Sequence, residues 1–269
     1  MEQRVDYYTL VGFASETDNP QALETLKIIP ETTAILLDFD GTFIDIAEAP
    51  DAVRVATSDK LLLNELIRMH AGAVAMVSGR NLKDVDTHLA GISGTVSGGH
   101  GAELRHAGEE FPGVPCDAGR LDHIKAAVKE FATLEQRVLA EDKSFGVVLH
   151  YRQHPELEGK VKDFLKGLVE GDDEFELQFA KMAIEVKPKA VSKASAIERI
   201  MQFEAFSGRE ILYAGDDFTD EAAFAWVNEH GGVSIKVGDG PTVARYRTAS
   251  PASLKAWLLN QIRAAGRGA

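Results

Sequence analysis

Asp38 and Asp40 stand two residues apart at the end of the apolar run Thr33-Ala-Ile-Leu-Leu, and Gly41-Thr42 follows them. On an extended segment, residues at i and i+2 project to the same side, so the two carboxylates can point together. Adjacent carboxylates repel each other and want a compensating cation. With no Cys or His pair nearby, hard, oxygen-loving Mg²⁺ fits better than a soft metal. Asp216, in Gly215-Asp216-Asp217-Phe218-Thr219-Asp220-Glu221, would supply a third carboxylate. The plain alternative is a turn, which Asp and Gly favour through their backbone habits. The buried apolar approach argues against simple solvation, because burying unpaired carboxylates is costly.

The elements that must position these residues read from apolar runs and periodicity. Short apolar runs beginning at Thr33, at Ala73–Val77, Gly94–Ser97, Glu210–Ala214 and Val233–Val237 are expected as strands, the first two buried on both faces as in a parallel sheet. Helical patterns fill Ser58–Met69, Asn81–Leu89 and Ala222–Val227. Strands alternating with helices at this spacing predict a doubly wound α/β domain. From about 110 to 187 the order changes. There helices are expected at Arg120–Phe131 and Leu157–Val169, and strands at Phe145–Tyr151, Phe175–Phe179 and Met182–Val186. The predicted fold class is therefore α/β, a doubly wound parallel-sheet (Rossmann-like) core over 1–109 and 188–269 with an inserted α+β domain over 110–187. The leader, Met1–Pro30, carries a weak helical pattern around Ala22, Leu23, Leu26 and Ile29 and is expected on the domain edge. Ligands of such folds bind beyond the carboxyl ends of the strands. Three turns rich in acid, serine or glycine are expected there: Asp38–Thr42, Ser78–Arg80 and Gly215–Glu221.

Asp38-Phe-Asp40-Gly41-Thr42 resembles the nucleophile motif of the haloacid-dehalogenase superfamily, and Gly215-Asp216-Asp217 its acidic metal motif. The longer string Gly215–Glu221 is similar to the trehalose-6-phosphate phosphatase family. So are Ser78-Gly79-Arg80, Gly99-His100-Gly101-Ala102-Glu103 and Ile184-Glu185-Val186-Lys187-Pro188. The resemblance covers roughly Ala34 to Val237 in the expected order, and it implies a Mg²⁺-dependent phosphomonoesterase acting on a small sugar phosphate. Asp38 would be the covalent nucleophile and Asp40 the general acid and base. Asp38, the main-chain carbonyl of Asp40, and Asp216 would hold the metal. Ser78 would bind a phosphate oxygen, an ordinary helix N-cap serine being the alternative.

The phosphate lysine implied by the family is best matched by Lys193 in Val191-Ser-Lys193-Ala194, with Lys187 and Lys189 as competitors. The familiar form has Gly where this chain has Ala194. Asp217 and Asp220 would either orient Lys193 or a metal-bound water, or cap the helix that follows. Gly79 and Arg80 belong to the phosphate motif, and Arg80 could clasp an acid near the site. Glu103, Arg105, His150, Arg152, Glu185 and Lys187, in or beside the inserted cap, have the chemistry to read sugar hydroxyls; cap closure would exclude water. Sucrose phosphate or mannosyl-phosphoglycerate are alternative substrates, and a phosphomutase is a chemically near alternative activity. A receiver-type signalling domain would leave the inserted segment unexplained, and a dead sugar sensor would not need intact Asp38, Asp40 and Asp216.

Composition agrees with a soluble globular chain. Of 269 residues, 45% are hydrophobic and 26% charged, enough to build a core without staples. Lys and Arg number 29 against 42 Asp and Glu, a formal charge of −13 that disfavours nucleic acid and anionic membrane as partners. Cys116 is alone, which excludes an internal disulfide or a cysteine metal cluster. Met1–Leu10 is too polar for a secretory segment, so a cytoplasmic address and a monomer or weak oligomer are expected.

Overall fold

In the computed structural model of the chain, residues 21–46, 53–180 and 182–266 are described. Residues 1–20 of the expected leader helix lie outside them. The chain divides into two compact units, Met1–Phe111 with Ser192–Ala269, and Pro112–Val191.

The first unit lays down β1 (Gln21–Ala22), β2 (Thr33–Asp38), α1 (Thr57–Met69), β3 (Val74–Val77), α2 (Leu82–His88) and β4 (Thr95–Gly98). A hairpin of β5 (Glu103–His106) and β6 (Glu109–Phe111) closes this half. The inserted unit runs α3 (Ala118–Leu134), β7 (Leu139–Lys143), β8 (Gly146–His150), α4 (Glu158–Val169), β9 (Phe175–Ala180) and β10 (Ala183–Pro188). The chain then returns through α5 (Lys193–Ile200), β11 (Glu210–Gly215), α6 (Glu221–Glu229), β12 (Val233–Val237), β13 (Tyr246–Thr248) and α7 (Pro251–Ala265).

The first unit holds a nine-stranded sheet in the order β1-β13-β12-β11-β2-β3-β4-β5-β6. It is parallel except across β4–β5 and β5–β6. From β2 the chain winds outward through β3 and β4. After the insertion it winds the other way through β11, β12 and β13. Winding therefore reverses between β2 and β11, and open α/β sheets bind ligands beyond the strand ends at such a switch point.

Side-chain alternation builds the layers. Ile35 and Leu37 of β2 join Leu63 and Leu66 of α1, Val85 of α2 and Leu254 and Leu258 of α7 in one core. Ala34 and Leu36 face the opposite core, with Ile197 and Ile200 of α5 and Phe224 and Val227 of α6. Burial on both faces explains why these strands read as unbroken apolar runs. The inserted unit has a four-stranded antiparallel sheet, β7-β8-β10-β9, with a third core formed by α3, α4 and one sheet face.

Two expectations need correction. The helix around Ala22–Ile29 is instead a strand pair with β13 followed by a single 3₁₀ turn, Leu23–Thr25. Among the described side chains there Leu23 alone is buried, so edge pairing rather than a packed helical face anchors the segment. Strand β7 was also not anticipated: Leu-Ala-Glu-Asp-Lys is a largely exposed edge strand and carries no apolar run.

At the other end of β2 from Asp38, His70 closes α1 and is buried, with Nδ1–H donating to the Thr33 carbonyl at 2.8 Å. Burial holds its pKa below 6.5, and Arg209 acts in the same direction, against opposing effects of Thr33 and Glu31. The unfolded chain thus takes up this proton at a higher pH than the folded one, so stability falls as pH drops through the ordinary histidine range. The loss levels off once folded His70 also protonates. Between pH 7.5 and 5.5, this group contributes a slope of at most about 1.4 kcal/mol per pH unit. Urea unfolding at several pH values should show a flatter profile for His70→Gln than for the parent chain; parallel profiles would exclude this role.

Candidate active site

Strand β2 ends at Asp38, and its register pairs Leu37 with Ala214 of β11, which brings Gly215-Asp216 beside Asp38. Asp38 follows the parity of Ala34 and Leu36 and so lies on the α5 side of the sheet. There Lys193, the first residue of α5, extends Nζ to Asp38 Oδ1 at 2.8 Å and to Asp220 Oδ1 at 2.7 Å. Asp38 and Lys193 are 4% exposed and Asp220 is 0% exposed. A capping box of Ser192 and Ser195 starts α5. A lysine at a helix N-terminus opposes the helix dipole, and here the two carboxylates compensate it.

Asp220 is fully engaged. Its Oδ1 accepts from Lys193 and from the Tyr213 hydroxyl at 2.5 Å; its Oδ2 accepts from the main-chain N–H groups of Asp216 at 3.1 Å and Asp217 at 3.0 Å. Asp217 serves a different purpose, capping the turn Phe218–Asp220 through the Thr219 N–H at 2.6 Å. Asp216 Oδ1 accepts from the Thr42 hydroxyl at 3.1 Å. Gly41 has φ +83°, and a Cβ there would overlap the Asp216 carboxylate, so the Asp-Gly pair both makes the turn and leaves room for the acid.

Carboxylate oxygens of Asp38, Asp216 and Asp220 lie within 4.8 Å of one another, close enough to share a metal ion. Because Asp220 already has four donors, Asp38 and Asp216 are the members able to hold it. Burial pushes the Asp38 carboxyl well above the usual range; Lys193 opposes this, while Asp220 and Asp216 reinforce it. Asp216 is raised by burial too. Burial alone would lower Lys193, but Asp220 and Asp38 outweigh it and hold the ammonium above the ordinary lysine value. A single lysine among three acids, Asp38 and Asp220 buried and Asp216 half-buried, leaves net negative charge. An all-oxygen donor set of that sign suits a hard divalent cation.

The trehalose-phosphatase family model matches residues 36–255. A probable trehalose-phosphate phosphatase of Sinorhizobium fredii is 33% identical over 217 residues, covering 80% of this chain and 82% of the relative. The chain belongs to the trehalose-phosphatase family. The trehalose-6-phosphate phosphatase of Escherichia coli is 32% identical, with 87% of this chain and 90% of that protein covered. Among solved structures, the C-terminal domain of Candida albicans trehalose-6-phosphate phosphatase superposes with a TM-score of 0.71 at 21% identity. That match covers 87% of this chain and 92% of the other and shows a shared fold. Membership makes this protein a phosphatase.

Within this trehalose-phosphatase-family site, Asp40 departs from the expected geometry. β2 ends at Asp38 and the chain turns at Phe39, so strand alternation does not carry through. The Asp40 carboxylate lies outside the Asp38–Asp216–Asp220 cluster, forked by Arg80 through Nε at 2.6 Å and Nη2 at 2.9 Å. Ser78 does not cap α2; Asn81 does, accepting from the Asp84 N–H. Buried Ser78 Oγ instead accepts from the Arg80 N–H at 3.1 Å, which leaves its own proton to donate. A Cβ on Gly79 would collide with the His100 ring.

Among the candidate lysines, Lys193 bonds Asp38. Lys187 bonds Glu176 at 2.9 Å and the Val191 carbonyl at 2.5 Å, and Lys189 bonds the Asp172 carbonyl. Glu103 accepts from the Leu82 N–H at the start of α2, and Arg105 pairs with Asp86. Both are thus engaged in structure within the first unit. In the inserted unit, the sheet face away from the third core carries His150 on Glu141 at 2.7 Å, Glu185 on Lys143 at 3.1 Å, and Lys187 on Glu176. Arg152 is exposed in the turn after β8. Tyr213, Lys143 and Lys236 lie outside every motif quoted from the sequence. The last had a signal, a lysine in the otherwise apolar Val233–Val237 run leading into Gly-Asp-Gly.

Proposed function

We propose that this chain hydrolyses trehalose 6-phosphate to trehalose and inorganic phosphate, with Mg²⁺ as cofactor and an aspartyl-phosphate on Asp38 as intermediate. The observation that carries the reading is the meeting of Asp38, Asp216 and Lys193 at the switch point of the sheet. Asp38, Asp216 and the main-chain carbonyl of Asp40 would hold Mg²⁺, whose charge offsets the repulsion between an anionic nucleophile and an anionic phosphate.

In the first step an Asp38 oxygen forms a bond to phosphorus while the bond from phosphorus to the sugar oxygen breaks, and Asp40 gives that oxygen a proton. Arg80 grips both Asp40 oxygens, so this fork must open for the proton to pass. Asp40 then takes a proton from water, whose oxygen attacks phosphorus and displaces Asp38. Lys193 and the Ser78 hydroxyl bind phosphate oxygens, and the N-terminus of α5 adds to the positive field there.

The inserted unit acts as a substrate-specificity cap in this reading. On its sheet face away from the third core, the paired groups Glu185–Lys143, Lys187–Glu176 and His150–Glu141 would exchange partners with sugar hydroxyls. A site built from such groups discriminates strongly against analogues that leave them unpaired.

The test is phosphate release from a panel of sugar phosphates, with Mg²⁺ and with a chelator. Trehalose 6-phosphate should exceed sucrose phosphate and mannosyl-phosphoglycerate by about tenfold or more in kcat/KM, and chelation should stop turnover. Equal rates across the panel, or an isomerised sugar phosphate in place of free phosphate, would overturn the reading.

A further inference from the structure

Strand β12 places a lysine where packing asks for an apolar side chain. Ile235 and Val237 face the core beneath α1 and α7, so Ser234 and Lys236 project to the side covered by α6. Ser234 is accounted for by its hydrogen bond to Asn228 of α6 at 2.6 Å. Lys236 is 5% exposed and stands level with Gly215 in the β11–β12 register. Its Nζ donates to the main-chain carbonyl of Asp216.

That peptide is held from its other end as well. Asp220 Oδ2 accepts the N–H groups of Asp216 and Asp217. Asp216 is thereby pinned through both its N–H and its C=O, with Thr42 on its side chain. Next to it, Glu221 is fully buried, and Lys236 is among the groups that counter the upward push of burial on that acid.

We infer that Lys236 is a positioning residue for the metal-binding acid: by fixing the Asp216 carbonyl it sets the affinity of the site for the divalent cation. The inference rests on the reading above, in which Asp38 and Asp216 hold Mg²⁺. A lysine that served only the fold would show itself in stability, because removing one partner of a buried charged contact is destabilising, and it would leave metal affinity unchanged. Groups that orient a metal ligand, in contrast, typically change metal affinity by about 10- to 100-fold when removed.

Lys236→Met and Lys236→Gln separate these roles. Mg²⁺ is titrated calorimetrically into each phosphate-free protein, and thermal unfolding is followed in chelator. Lys236→Met should bind Mg²⁺ roughly tenfold more weakly, over and above the stability that removing a buried charge costs in chelator. Lys236→Gln, whose amide can still donate to the carbonyl, should fall between Met and the parent. Parental Mg²⁺ affinity in either folded variant would overturn the inference, and the Gln variant decides if the Met variant does not fold. A parent chain that binds no Mg²⁺, or an Asp216→Asn chain that binds it undiminished, would instead overturn the underlying metal assignment and the inference with it.

Discussion

Asp38→Asn is expected to lower phosphate release by at least about 10⁴-fold while leaving the fold intact. The amide cannot form the acyl-phosphate bond, and Asp38 is the acid placed against both Lys193 and Asp216. Stability should move the other way. Metal-free, Asp38, Asp216 and Asp220 crowd one lysine, so removing a negative charge relieves repulsion that offsets the lost ion pair. The variant should therefore melt at or above the parental temperature in chelator, and the gain that Mg²⁺ gives the parent should largely vanish. A variant retaining several per cent of parental turnover would show that another group is the nucleophile. Lost turnover with a much lower melting temperature would show that Asp38 is chiefly structural. Such a divergence between activity and stability is expected where a site keeps charges that the fold alone would not choose.

Lys193→Met should cost both properties. The ammonium joins Asp38 to Asp220, with all three side chains almost wholly buried. Removing it strands two carboxylates in a low-dielectric interior, a change that typically costs about 3–5 kcal/mol. For a chain of this size that is a fall in melting temperature of roughly 10 °C. Loss of the positive charge at the phosphate should lower kcat/KM by a further 10²–10³-fold, an order-of-magnitude value for one electrostatic donor. Adding Mg²⁺ separates the two effects: the cation replaces charge next to Asp38 and should restore part of the stability, but not the turnover. Full recovery of activity with Mg²⁺ would mean that Lys193 only neutralises Asp38. An unchanged melting temperature would mean that the triad of Asp38, Lys193 and Asp220 does not carry the buried charge.

The strands of the parallel core and the acids at their ends are legible in the chain alone. Apolar runs such as Ala34–Leu37 can be buried on both faces only in a sheet covered by helices, and Asp38 and Gly215-Asp216 end two of those runs. Motif resemblance added Lys193 and the family. What the sequence left open was decided by register and by where strands stop. Asp40 parts from Asp38 because β2 ends first, which gives its carboxylate to Arg80. Asp220 holds Lys193 while Tyr213 and two main-chain N–H groups occupy its other acceptor positions. Lys236 reaches Asp216 only through the parallel pairing of β11 with β12. Spacing along a chain limits which side chains can share a face; hydrogen-bond saturation and strand register, which involve residues far apart in sequence, decide which of them share a site.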